Sequence, residues 1–557
     1  MKSRKFARRQ DRTVLNHGLR WLAALAAMYL ILVLPDRVNG LGSLLSPRLP
    51  LELPLIVLGL VAVSGWAGAL LRGLIVLALT VTLLFKLANM AAFFGFDRPF
   101  NPLVDALMVP TALDTLGKAA GPAAAFAAVA GAVLVLALIV GVLVWVAGVV
   151  AHGLSENARL LVAAAALGSV ALAFTPYATW SASLFARNQA VAVSQGVRDA
   201  AQFRAQLLQD PFSDLPSESR LAGLKGTDVL LIFIESYGRA SLDNPAYAPL
   251  LRGTLKKFNG ALADKGFSAR SAWLTSPTFG GESYLAHSTT VSGLWVDNQQ
   301  RYVQLLRSRH DTLISDFNGA GWHTVVVMPE ITMPWPEASY FKYGKIYAAP
   351  DLNYKGEPFD YMTMPDQYVL SAFHGREIAP VDRKPVMAEI ALISSHIPWT
   401  PVPKLVPWED VGDGQIFNTA RTTEDSDEIW RDPKRIAEYY AMSVDYTLQT
   451  LMSYVTTQVG DRTLLIIMGD HEPMSFIAGE GASHEVPAHI IARDPALLDA
   501  LGEGKWTLGM EPDATSPSWP MNTVRERLLT AFAKAPDAAV SPLESVPEAA
   551  PVQPAKP

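Results

Sequence analysis

Five apolar runs, at residues 19–35, 51–71, 74–96, 122–151 and 158–180, constrain this chain more than any other feature of it. Each is near the roughly 20 residues that a helix needs to cross a bilayer. They are nearly free of charge around their whole circumference, so they do not read as amphipathic helices burying one stripe on a soluble core. The sequence therefore predicts a domain of five transmembrane helices over residues 1–180. A mean hydropathy of +0.21 with 18% charged residues agrees, being too apolar for a purely soluble protein. Lys2, Arg4, Lys5, Arg8, Arg9 and Arg12 precede the first run, and no convincing cleavage site follows, which marks a cytoplasmic flank rather than a signal peptide. With that flank inside, an odd number of spans places everything after Trp180 outside. Lys86 and Asn89 fall within the third run, where a charge is costly and is either functional or turned to the bundle interior.

Residues 181–227 alternate charged and apolar positions with helical period until Pro211 and Pro216, which predicts a juxtamembrane linker lying along the surface. Over 228–534, short apolar runs at 229–234, 324–328, 387–393 and 464–468 alternate with helical patterns, the signature of a doubly wound α/β domain. The tail, 535–557, is rich in Pro, Ala and Glu and is expected to be disordered. A net charge of −6, with no Lys/Arg cluster beyond the first residues, argues against a nucleic-acid binder. The absence of cysteine excludes disulfides, thiolate metal sites and a nucleophile derived from cysteine.

Chemistry gathers around one serine. Ser283 follows Gly280 and Gly281, which let the backbone turn sharply, and precedes a run from Tyr284 to Val291 that can start a helix. Free N–H groups and the dipole at such a start favour a phosphate or sulfate. A serine there attacks phosphorus once a divalent cation on its oxygen lowers its pKa. A capping serine would also fit this segment alone; the flanking motifs are what point to chemistry. The apolar strand Ile232-Phe-Ile ends in Glu235, and Leu464 to Gly469 runs into Asp470 and His471. Ligands collect at the carboxyl ends of strands in open α/β sheets, so these three residues are expected to converge on Ser283 as an O/O/N set suited to zinc or manganese. Thr278, five residues earlier, is the alternative nucleophile.

The order of a strand-end acid, a nucleophile at a helix start and a late Asp-His resembles the alkaline phosphatase and sulfatase superfamily. There the nucleophile commonly lies ten residues before the Gly of a Thr/Ser-Gly pair, as Ser283 does before Gly293. His287 occupies the place of the Arg of the sulfatase signature or the His of the phosphodiesterase one. Over nearly the whole chain the likeness is to membrane-anchored lipoteichoic acid synthases, phosphoglycerol transferases and phosphoethanolamine transferases. In those enzymes, histidines in settings like Ser394-Ser-His396-Ile-Pro and His484-Glu-Val-Pro line the substrate phosphate or protonate the leaving group, work that an imidazole can do. His484, reached by a chain folding back through Gly479 and Gly481, is expected to be the acid. Two-zinc members carry an Asp four residues before the position of His396, where this chain has Leu392, so the resemblance implies one divalent cation, Mn or Zn, on Glu235, Ser283, Asp470 and His471. Trp335 sits where the synthases have a Trp-x-Arg that contacts glycerol phosphate, or is core packing; Glu337 replaces the Arg, so the headgroup is not carried over.

The resemblance implies a multi-pass protein of the bacterial inner membrane with its catalytic domain on the periplasmic or extracellular side. Its activity would be transfer of a phosphoglycerol or phosphoethanolamine headgroup from a membrane phospholipid, through Ser283, to a cell-envelope glycan or lipid. A periplasmic phosphodiesterase or phosphatase would share the same residues. A membrane sensor on a dead hydrolase scaffold would not need Glu235, Ser283, Asp470 and His471 intact.

Overall fold

The computed structural model describes residues 2–45, 48–96, 98–152, 156–169, 171–172, 175–359, 362–501 and 506–533; the tail expected to be disordered lies outside them. The N-terminal third is helical: α1 (Lys2–Val33), α2 (Glu52–Ala62), α3 (Gly65–Phe96), α4 (Val109–Ala120), α5 (Pro122–His152) and α6 (Glu156–Ser169).

Among the described residues three helices, not five, are long and apolar enough to cross a membrane: the segments Asn16–Val33, Gly65–Phe93 and Pro122–His152. The second and third runs are divided differently from the expectation. Val63 is extended (φ −98°, ψ 124°) and Gly65 is left-handed (φ +67°), so the chain breaks there and leaves α2 with 11 residues and α3 with 32. A hydropathy pattern reads straight through such a break, because the cause is backbone conformation and not polarity. The fifth run yields only the 14 residues of α6. At 1.5 Å per residue α2 and α6 rise about 17 and 21 Å, short of a hydrocarbon core of about 30 Å, and they pack against each other. Leu70, Leu77, Leu134 and Leu138 point their side chains outward, the arrangement that hydrocarbon and not water accepts.

Lys86 is buried and its amine donates to the carbonyls of Leu32 (2.8 Å) and Ile31 (3.3 Å), while Ser181 also donates to Leu32 (2.7 Å). The lysine therefore satisfies orphan carbonyls at the C-terminus of α1, where a cation is also favoured by the helix dipole. Asn89 donates to the carbonyl of Asp36 (3.1 Å) and accepts from the N–H of Phe100 (2.8 Å), tying α3 to the segments on either side. The polar residues of the third run thus hold helix ends together.

Beyond these comes α7 (Ser181–Gln206), a continuous helix over the stretch whose charged and apolar positions alternate with helical period. Phe203 near its end is fully buried against Leu285, Val296 and Leu305 of the following domain, and Asp199 accepts from Arg301 Nε at 2.8 Å.

That domain is built on a nine-stranded mixed sheet. Its strands are β1 (Asp228–Ile234), β2 (Ser268–Thr275), β3 (His323–Met328), β4 (Lys345–Ala348), β5 (Val386–Leu392), β6 (Thr463–Gly469), β7 (Glu485–Ala492), β8 (Thr507–Leu508) and β9 (Ser518–Pro520). They lie in the order β8-β2-β7-β6-β1-β5-β3-β4, with β9 on β2. The run β6-β1-β5-β3-β4 is parallel, and β7 is antiparallel to both β6 and β2. Alternate residues of β1 face two separate cores. Leu230, Ile232 and Ile234 pack with α8 (Ala248–Asp264) and α10 (Pro433–Thr457), whereas Val229, Leu231 and Phe233 pack with α9 (Ser283–Ser292) and α11 (Thr523–Phe532). This is a doubly wound α/β layer with an antiparallel extension, and strands buried on both faces explain the uninterrupted apolar runs of the sequence.

Candidate active site

The parallel strands end along one edge, and the short loops leaving them carry the polar groups. β1 runs into Glu235 and Ser236, and β6 runs into Asp470 and His471 on the neighbouring strand. Since β2 is antiparallel to β7, and β7 to β6, β2 ends at the same edge. Its loop turns through Gly280 (φ +72°) and Glu282 (φ +60°) before α9 begins at Ser283. Glu282 carries a side chain where glycine is the easy choice, so the turn at the helix start is held in a strained conformation.

The Ser283 hydroxyl lies 3.1 Å from Glu235 Oε2 and 3.1 Å from His471 Nε2. One oxygen each of Glu235 and Asp470 and a nitrogen of His471 lie within 4.8 Å of one another, all three residues being buried. The local backbone locks them. Asp470 Oδ1 accepts the N–H of Ser236 (2.8 Å) and of His471 (2.7 Å), His471 Nδ1 donates to the carbonyl of Glu472 (2.7 Å), and Ser236 Oγ donates to Glu235 Oε1 (2.9 Å). His471 therefore presents Nε2 to the cluster.

Burial and the neighbouring Glu235 carboxylate raise Asp470 to about 6. Glu235 goes the other way: burial opposes its charge, but the His471 imidazolium outweighs burial and lowers its pKa. Burial likewise disfavours charge on His471, yet Asp470 and Glu235 raise it to about 10. Two carboxylates pressed together in a buried site call for positive charge. Two carboxylate oxygens, an imidazole nitrogen and an adjacent hydroxyl suit a divalent cation such as zinc or manganese.

His287, one turn along α9, stacks on Phe233 (centroids 3.8 Å apart) and its Nδ1 bonds Glu389 Oε1 at 2.9 Å. Burial disfavours its charge, but Glu389 prevails and its pKa is raised. Tyr343 donates to the other Glu389 oxygen at 2.6 Å. Two cavities open beside Ser283. The smaller, about 210 Å³, is lined by Glu235, Ser283, His287, Glu330, His396 and Asp470 among others. The larger, about 460 Å³, shares Ser283, His287 and Glu330 and is walled by Tyr302, Trp335 and Tyr343, with Met108 from the membrane-side segment. Glu330 is enclosed by cavity walls while reaching the solvent within them; burial raises its pKa to about 7.

His396 and Trp335 thus reach the cavities. His484 does not: it is exposed beside Phe279 and lines neither of them. The antiparallel β7 brings its backbone to the right edge, where its carbonyl accepts from Ser276 N at 2.8 Å, and its ring lies against Phe279, with centroids 5.4 Å apart. Of the two histidines expected to serve Ser283, His396 lines a cavity beside it and His484 lines neither. Thr278 Oγ1 is buried without a hydrogen-bond partner and lines neither cavity.

Sequence reasoning missed Glu330, Glu389, Tyr343 and Arg98. A signal existed for the first two: Glu330 follows a strand as Glu235 does, and Glu389 is a lone carboxylate within the apolar run of β5. Arg98, from the segment after α3, bonds Glu282 Oε2 (3.4 Å) and Asp105 (2.8 Å), a contact spanning 184 residues that no local pattern marks.

A mainly parallel α/β sheet with a serine at a helix start, beside a strand-end O/O/N cluster, defines a class of phosphoryl- or sulfuryl-handling metalloenzymes. Residues 227–494 match the family model described as Sulfatase, and this domain belongs to that family, within the alkaline phosphatase and sulfatase superfamily. No curated protein matches the chain. Solved structures similar to it include the lipoteichoic acid synthase LtaP from Listeria monocytogenes, at 10% identity over 56% of this chain and 74% of that one with a TM-score of 0.36. The Streptococcus pyogenes phosphoglycerol transferase GacH matches at 12% over 60% and 82%, TM-score 0.39. The soluble domain of lipooligosaccharide phosphoethanolamine transferase A from Neisseria meningitidis matches at 12% over 55% and 88%, TM-score 0.35.

Proposed function

We propose that this chain, anchored in the bacterial inner membrane with its catalytic domain outside, transfers a substituted phosphoryl group from a membrane phospholipid to an envelope glycan or lipid through a covalent Ser283 intermediate. The carrying observation is the Ser283 hydroxyl at 3.1 Å from both Glu235 and His471, within the one cluster of metal-ligating side chains among the described residues. The membrane side supports a lipid donor, because Met108 and Arg98 from the segment after α3 reach the cavity wall and the loop before Ser283.

A divalent cation held by Glu235, Asp470 and His471 would lower the pKa of the Ser283 hydroxyl and offset phosphate charge. Ser283 Oγ then bonds to phosphorus, its proton passing to water, as the bond from phosphorus to the diacylglycerol oxygen breaks. That oxygen takes a proton from His396, which lines the cavity with Ser283. In the second half the acceptor hydroxyl gives its proton to His396 and displaces Ser283, which recovers a proton from water. N–H groups at the start of α9 and the imidazole of His287, which lines the same cavity, favour the phosphate at this position.

The test is mass analysis of full-length protein incubated with labelled phosphatidylglycerol and phosphatidylethanolamine. A headgroup-phosphate mass on the peptide containing Ser283, absent in Ser283→Ala, is expected. Diacylglycerol release that survives Ser283→Ala, or an adduct on Thr278, would overturn the assignment.

A further inference from the structure

We infer that the aromatic cavity beside Ser283 receives an ammonium group on the donor headgroup, with Glu330 and Glu282 as its anionic partners. The inference rests on the phosphotransfer reading above and deepens it. Among the described residues, the charged side chains lining the two cavities are Glu235, Glu282, Glu330, Glu389, Asp470 and His groups, with no lysine or arginine.

These carboxylates are not equivalent. Asp470 and Glu235 belong to the cation cluster, and both oxygens of Glu389 are engaged, by His287 and by Tyr343. Glu282 is different: its side chain is only 9% exposed, one oxygen pairs with Arg98, and Oε1 is buried without a partner while the residue faces the larger cavity. Among the described residues no side chain donates to Glu330, which faces both cavities. The buried, unmatched Glu282 oxygen is costly unless a ligand completes it, and Glu330, open to the cavity solvent, is free to pair with the same ligand.

The walls say which kind of cation fits. Trp335 and Tyr343, with ring centroids 6.4 Å apart, and Tyr302 turn an aromatic surface to the space that the carboxylates face. Aromatic faces attract an ammonium, whereas a hard metal ion needs several oxygen or nitrogen donors within bonding reach. Among the described residues only Glu235, Asp470 and His471 meet that spacing. Acidic groups here would also disfavour any headgroup bearing a second anion and give a neutral glycerol no charge to match. Glu330 is therefore a specificity residue, discriminating headgroups by charge.

The experiment compares full-length wild-type protein and Glu330→Gln in mixed micelles of phosphatidylethanolamine or phosphatidylglycerol. Diacylglycerol release gives kcat and KM, and the melting temperature and bound metal are recorded for both proteins. Wild type is expected to prefer phosphatidylethanolamine in kcat/KM by about tenfold or more, the worth of one charge-assisted contact. Glu330→Gln should lower that preference by about tenfold, mainly through KM, at unchanged melting temperature and metal content. Phosphatidylglycerol used as well as or better than phosphatidylethanolamine by wild type overturns the inference and leaves phosphotransfer standing. So does a Glu330→Gln protein that keeps the wild-type preference or loses a metal ion. Release from neither lipid would instead overturn the phosphotransfer reading on which the inference rests.

Discussion

The two walls of the Ser283 site are built in opposite ways. On one side, Glu235, Asp470 and His471 come from the first residues past two adjacent parallel strands, and backbone N–H and carbonyl groups of the same short loops lock them. On the other, Met108, Tyr302, Glu330, Trp335 and Tyr343 arrive from separate segments across much of the chain. The polar wall is as rigid as the sheet. Apart from Tyr302, which sits on the short helix Gln299–Leu306, the aromatic wall hangs on loops that can vary without disturbing the sheet, which is where a scaffold keeps chemistry constant and changes recognition. Damage to the first wall should therefore appear in kcat, and damage to the second in KM.

The largest effect is expected from Ser283→Ala, which removes the attacking oxygen and should lower kcat for phospholipid turnover by at least about a thousandfold. Thr278→Ala should stay within about threefold, since the Thr278 hydroxyl has no partner to lose. A Thr278→Ala protein as damaged as Ser283→Ala would place the nucleophile elsewhere and break the comparison.

Glu235→Gln and Asp470→Asn come next. A neutral amide is a poorer ligand for a dication, so both variants should lose metal on dialysis and turn over at least about a hundredfold more slowly. Chelation of the wild type should do the same, and full activity in a rigorously metal-free preparation would remove the metal from the polar wall.

The histidines sharpen the boundary of the site. His396→Ala should slow a lipid donor by about 10²–10⁴-fold and a p-nitrophenyl phosphodiester far less, because nitrophenolate leaves without protonation. His484→Ala, whose ring is exposed beside Phe279, should stay within about threefold on both substrates. A reversed result would show that the loop of His484 closes over the site when substrate binds.

Of the expected losses the smallest belongs to the second wall. Trp335→Ala should raise KM for a phospholipid about tenfold with kcat within about twofold, the signature of binding shared by ground and transition states. An equal fall in kcat would mean that the aromatic wall also positions the reacting phosphate.

Much of the polar wall was legible in the chain itself. A strand buried on both faces reads as an unbroken apolar run, and a carboxylate or Asp-His pair at its end has nowhere to go but the sheet edge, so Glu235, Asp470 and His471 stand out with Ser283 at its glycine turn. His484 shows the limit of this reasoning. Its position next to β7 puts its backbone at the correct edge, but which way a loop side chain turns depends on packing against Phe279 and not on spacing.

By itself, then, the sequence determined an apolar helical third, a doubly wound α/β domain and a serine accompanied by strand-end carboxylates and a histidine, because hydrophobic period and strand ends are local properties of a chain. The tertiary structure alone decided that 51–96 folds as one short and one long helix, since a left-handed Gly65 is a backbone state that hydropathy does not register. It also decided that Lys86 caps α1, that Arg98 reaches Glu282 across 184 residues, and that Glu330 faces a cavity of tyrosine and tryptophan rings. Each of these is a contact between segments far apart in the chain, and such contacts exist only once the sheet and the helix bundle have packed together.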